Sequence, residues 1–207
     1  MMLIADKMLL FRKSVFVGER MNIIKRMAKP KFKYDDFENA LYKEICRIML
    51  KHSGNDIYAF SVKYEPDFTP YIAVVENSKS HLEETVGNDT QNYFYYKYCE
   101  EEWEDAEIIK DLSDQLCHYY NDIKKWASDD SLLQEETIGE HRDKIIAICV
   151  NVLIKVKQSK EYAVFPNLNL NVYIREFLSN EEELLLYQKL NDREVVKEYK
   201  KYLLGNQ

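Results

Sequence analysis

Residues 145–154 read Ile-Ile-Ala-Ile-Cys-Val-Asn-Val-Leu-Ile, an apolar run with almost no polar side. A helix that is hydrophobic nearly all round belongs in the middle of a domain, because no orientation leaves it a wet face. The spacing predicts that helix over residues 138–157, and the other elements have to be amphipathic enough to surround it. No apolar run in the chain approaches the 18 or more residues of a membrane span, so a water-exposed exterior is expected.

The surrounding elements are legible as periodicities. Phe37, Leu41, Ile45, Ile48 and Met49 recur at helical spacing, which predicts a helix over residues 35–52, started by Asp35 or Asp36 and ended at Ser53-Gly54. Two strand-like runs follow, 57–64 and 71–76, with Tyr58, Phe60 and Val62 on one face of the first. The six-residue link Glu65-Pro66-Asp67-Phe68-Thr69-Pro70 makes them a hairpin. Ser80 and Glu83 have capping-box spacing, with Gly87 placed to close a short helix. Tyrosine-dense residues 92–99 predict a third strand. A long helix then runs to about Ala127 with Ile109, Leu112, Leu116 and Ile123 on its apolar stripe, and residues 128–137 form a polar link. A last strand is predicted at residues 169–177, where Leu170, Val172 and Ile174 alternate with polar neighbours. Ser179 and Glu182 cap a terminal helix that breaks at Asn191-Asp192. The sum is one α+β domain over residues 35–207, a mostly antiparallel sheet of about four strands flanked by helices.

Only 5 Gly are available, and none lies in a phosphate-cradling pattern. The charge is uneven. Residues 1–34, a basic N-terminal extension expected to be dispensable for folding, hold nine basic against two acidic side chains; the remainder must carry −14 for the chain to total −7. Such a body repels phosphates, which excludes nucleic acid from its surface. Cys46, Cys99, Cys117 and Cys149 stand alone, without the short spacings of a zinc site, as in a protein of a reducing, cytoplasmic compartment.

No nucleophile–base pair or metal set is expected. Cys117 and His118 are sequence neighbours on a helix and diverge, and Glu140-His141 lacks the second histidine of a zinc helix. The densest charged feature is Glu100, Glu101, Glu102, Glu104 and Asp105, interrupted by Trp103. Carboxylates gather at helix starts for dipole reasons, but a Trp among them is an interface anchor or an inward-turned core residue. These six residues are the expected partner-binding set; no catalytic residue, metal or cofactor is expected.

The segment Tyr58-Ala59-Phe60-Ser61-Val62, then Ala73-Val74-Val75-Glu76-Asn77 leading into a helix, then Tyr96-Lys97-Tyr98-Cys99-Glu100-Glu101-Glu102-Trp103 resembles the bacterial domain-of-unknown-function family numbered 4303. That family shows a Tyr-Arg-Trp-Ser-x-x-Glu-Trp-like stretch; here Lys97 stands for the Arg, Tyr98 for the Trp and Cys99 for the Ser, while Glu102 and Trp103 match. The resemblance implies a small α+β domain of the kind found near polymorphic toxin genes. It supplies no catalytic residues. The expected function is a non-catalytic protein-binding module, in concrete form an immunity protein neutralising a basic protein toxin, with no membrane or nucleic-acid partner. The alternative is an enzyme with a carboxylate site around Glu102.

Overall fold

A computed structural model describes residues 28–67, 69–103, 106–165, 167–174 and 177–205. Most of the basic extension, residues 1–27, therefore lies outside the described residues, as do Glu104 and Asp105. The described chain forms seven α-helices and one four-stranded sheet: α1 (Tyr34–Lys51), β1 (Ile57–Glu65), β2 (Tyr71–Ser78), α2 (Lys79–Val86), α3 (Tyr93–Tyr98), β3 (Glu107–Ile108), α4 (Lys110–Trp126), α5 (Ser131–Lys157), β4 (Asn169–Tyr173), α6 (Asn180–Leu190) and α7 (Arg193–Gly205). The class is α+β. No described helix is long and apolar enough to cross a membrane.

The strand order is β3-β2-β1-β4, with β1 antiparallel to β2, β2 antiparallel to β3, and β1 parallel to β4. The sheet is thus mixed rather than purely antiparallel. The hairpin forces the first pairing. The parallel pair arises because α4 and α5 carry the chain back before β4 enters, the long crossover that parallel neighbours require.

One face of the sheet bears Phe60, Val62, Tyr64, Ile72, Val74, Leu170 and Val172, buried against α1, α4 and α5 in the main core. α5 lies where its sequence demands, with Ile145, Ile148, Cys149, Val152, Leu153 and Val156 buried. It begins at Ser131 rather than Ile138, because the Asp130 side chain accepts from the Leu133 N–H and starts the helix in the polar link. Phe32 and Tyr34, assigned by sequence to the extension, pack on the core, and Lys29 pairs with Glu140 at 3.2 Å. In α1 neither Asp35 nor Asp36 caps; both lie in the first turn, where the helix dipole favours them.

The expected third strand at 92–99 is instead helical. The pairing beside β2 is made instead by Glu107 and Ile108, opposite Val74 and Ala73. Strand propensity reports fit to a pleated surface, not an intrinsic backbone demand. Tyr58 also departs from expectation. The β1–β2 register shifts between Ile57 and Ala59, and this bulge turns Tyr58 to the opposite face from Phe60 and Val62. α2 is capped by Ser78, whose hydroxyl accepts from the His81 N–H, not by Ser80. Gly87 ends it at φ +47°, where a side chain would be strained. The Ser179–Glu182 capping box forms as read.

Candidate functional site

The second face of the sheet is unlike the first. β1 offers Ala59 and Ser61, β2 offers Asn77, and β4 offers Asn171 directly beside Ser61, so buried polar side chains replace aliphatic ones. Residues 98–103 lie over this face, because Tyr98 is held at one end and Trp103 at the other. Tyr98 is buried with Tyr187, Tyr199 and Leu203. Trp103 packs on Tyr58, Ala59, Leu82 and Val86. Tyr58 ties the region together: its hydroxyl donates to the Lys97 carbonyl at 3.1 Å and accepts from Asn77 Nδ2 at 2.9 Å.

This anchoring splits the acidic run. Glu100 is buried, 7% exposed, and accepts from Asn171 Nδ2, so it does not belong to any outward face. Burial pushes its carboxyl up to about 8. Glu101 is exposed and accepts from the Tyr173 hydroxyl at 3.2 Å. Glu102 accepts from the Tyr95 hydroxyl at 3.0 Å, while its carbonyl meets His81 Nε2 at 3.1 Å. Glu107, at the end of the run, is neutralised by Lys51 and Arg47, whose hydrogen bonds hold its carboxyl below the usual range.

Trp103 is half-buried with an indole N–H that has no hydrogen-bond partner. Replacing it by Ala removes apolar contact but also deletes that unmatched donor, so Trp103→Ala is expected to cost about 2 kcal/mol rather than the 3–5 of a fully buried aromatic. Urea denaturation measures this; an unchanged midpoint would mean that the ring does not hold residues 98–103 to α2.

The signal that sequence reading missed is aromatic. Tyr93, Phe94 and Tyr95 open α3 and remain 38%, 41% and 39% exposed. Reading 92–99 as a strand concealed this, since a strand would have alternated them between two faces. On the helix the Tyr93 and Phe94 rings meet edge-on at 5.6 Å, and the Tyr95 hydroxyl donates to Glu102. A second missed feature is His52 Nδ1 at 2.6 Å from the buried Glu76 carboxylate, a contact between the end of α1 and β2 that no local spacing announces.

The Glu102 carboxylate faces Tyr95, while the nearby His81 ring reaches the backbone of Glu102. Cys117 donates to the Pro70 carbonyl, and its neighbour His118 is exposed. Among the described residues no three His, Cys, Asp or Glu side chains gather as metal ligands. Compared with known proteins, residues 31–191 match the family model described as Domain of unknown function (DUF4303). No curated protein and no solved structure matches the chain.

Proposed function

The chain belongs to the DUF4303 family, and from its own surface we propose that it is a non-catalytic protein-binding module whose partner is a basic protein. The observation that carries this reading is the exposure of three consecutive aromatic rings, Tyr93, Phe94 and Tyr95, with Tyr95 hydrogen-bonded to Glu102. Aromatic side chains offer large contact area at low entropic cost and dominate interface hot spots. Elsewhere among the described residues the exposed large apolar side chains are single and separated in sequence, which is ordinary for a protein surface. The adjoining carboxylates, on a body of net negative charge, favour encounter with a positive partner and disfavour a negative one.

The concrete form of this reading is an immunity protein that covers a basic toxin domain, as the family resemblance implies. Glu101, Glu102 and the Tyr93–Tyr95 rings are its contact set.

Co-expression with the products of adjacent genes, followed by titration of the purified partner, tests the reading. Phe94→Ala and Tyr93→Ala together are expected to weaken binding at least about tenfold, the range of hot-spot truncation. Glu101→Lys should lower the association rate and flatten its salt dependence. Unaltered affinity in the aromatic double variant would overturn the assignment of this face. Turnover of a substrate by the chain alone, lost in Glu102→Gln, would favour a carboxylate enzyme instead.

A further inference from the structure

Residues 99–103 cross the second sheet face between two unequal anchors. Tyr98, 3% exposed, is locked beside Tyr187 and Tyr199 at one end, whereas Trp103 at the other is half-buried. The backbone bonds of this segment are internal: the Glu102 N–H donates to the Cys99 carbonyl at 3.0 Å and the Trp103 N–H to the Glu100 carbonyl at 3.4 Å. It is tied to the body by the Asn171 amide on Glu100, the Tyr173 hydroxyl on Glu101 and the His81 ring at the Glu102 carbonyl. The contact beneath it is poorly satisfied. Ser61 Oγ, Asn77 Oδ1 and Asn171 Oδ1 on the sheet and Trp103 Nε1 on the segment are buried with no hydrogen-bond partner among the described residues. Each forgoes a bond it would make to water, so closure is penalised and opening relieves it.

Glu100 points into this contact, 7% exposed. Lys63 of β1 favours a charge on it and Glu183 of α6 opposes one. The hydroxyls of Tyr58 on β1, Tyr173 on β4, Tyr187 on α6 and Tyr199 and Tyr202 on α7 stay neutral, because burial raises each of them. Lys97 of α3 is paired with Glu198 of α7 at 2.5 Å. On the segment itself the Cys99 thiol is raised by burial, and Glu101 turns to solvent. Lys63 and Glu183 work against each other, and the Asn171 amide does not replace the waters a carboxylate loses on burial.

We propose that residues 99–103 form a strap that pivots on Tyr98 and lifts from the sheet when the Glu100 carboxyl ionises, a base-triggered opening built into the fold. The sign follows from the raised carboxyl. Below pH 4.5 Glu100 is protonated with the strap open or closed, and closure carries no ionisation penalty. From 4.5 to about 8 an open strap releases the proton and a closed one keeps it, so each pH unit favours opening about tenfold. The strap is therefore firmly closed at pH 6 and opens as pH passes about 8. It carries Glu101 and Glu102, so lifting would dismantle the contact set proposed above. The device itself is a property of the chain alone and does not rest on that reading.

The test is amide exchange on the full chain, without a partner, across about pH 5.5–8.5 and corrected for base catalysis of exchange itself. The Glu102 and Trp103 amides are expected to exchange at least about tenfold faster than those of residues 148–153 in the core of α5, as local opening requires. Their opening constant should rise about tenfold per pH unit, and Glu100→Gln should flatten that rise. In a Trp126→Phe chain the Trp103 emission should shift to the red between pH 6 and 9, and adding Glu100→Gln should abolish the shift. Strap amides no faster than those of α5 would overturn the proposal, because Glu100 would then meet water only when the whole domain unfolds. So would a pH slope that survives in Glu100→Gln. If either variant fails to fold, the comparison between strap and α5 in the unaltered chain decides.

Discussion

At pH 8 the Glu100→Gln chain should withstand urea better than the unaltered chain, by about 4 kcal/mol, while near pH 4.5 the two should agree closely. Glu100 is buried under the second face of the sheet, and desolvation raises its carboxyl from 4.5 to about 8. Asn171 on β4 donates to it, Lys63 on β1 favours its charge weakly, and the Glu183 carboxylate on α6 opposes it. Below pH 4.5 the carboxyl is protonated whether the chain is folded or not, and burial carries no ionisation penalty. Between 4.5 and about 8 the unfolded chain has released the proton and the folded chain has kept it, so stability falls as pH rises through this window. Above about 8 the folded carboxylate is charged and the loss is complete. Glutamine keeps the shape and an oxygen for the Asn171 amide but never ionises, which abolishes the slope. A pH-independent difference between the two chains, or a glutamine variant that is weaker at pH 8, would refute this account of Glu100.

Glu100 also shows where local reading stops. The acidic run looks uniform in sequence, yet two flanking anchors, Tyr98 and Trp103, twist it so that Glu100 turns inward and Glu101 outward. Both anchors depend on partners more than 80 residues away or on the other side of a bulge, and neither is written in the spacing of residues 100–105. Features fixed by neighbours were legible: the apolar stripe of α1, the two-proline hairpin, the capping box at Ser179 and the buried α5 all follow from local periodicity or capping. Those fixed by long-range pairing were not. The direction of β4 is set by the length of the helical crossover before it. The tyrosine segment is helical, and the short pairing beside β2 falls to Glu107 and Ile108. His141 is a similar case: the sequence shows an isolated histidine, and only the approach of Phe32, Tyr34 and Tyr119 buries it in an aromatic cluster.

Tyr199→Ala should cost about 3–5 kcal/mol. Tyr199 is 1% exposed in α7, its ring stacked on Tyr187 of α6 with centroids 3.8 Å apart and planes 16° from parallel. Tyr98 meets it edge-on at 5.2 Å, so one side chain joins the last two helices to the segment carrying Glu100. Aromatic contacts of this kind add about 0.5–1.5 kcal/mol per pair beyond burial, and truncation would leave a hole facing two other tyrosines with little to collapse into it. The hydroxyl has a separate role. It donates to the half-buried Glu183 carboxylate, a bond that opposes the upward pull of burial on that carboxyl. Tyr199→Phe keeps the stack and loses only this bond, so about 1–2 kcal/mol is expected, the range for leaving a buried charged acceptor short of a donor. Its cost should grow as pH rises and Glu183 ionises, whereas the packing loss in Tyr199→Ala is present at every pH. Urea titrations of both variants across pH separate the two contributions. If Phe proves as costly as Ala, the hydrogen bond rather than the aromatic stack holds α7 in place, and the packing account of this corner is wrong.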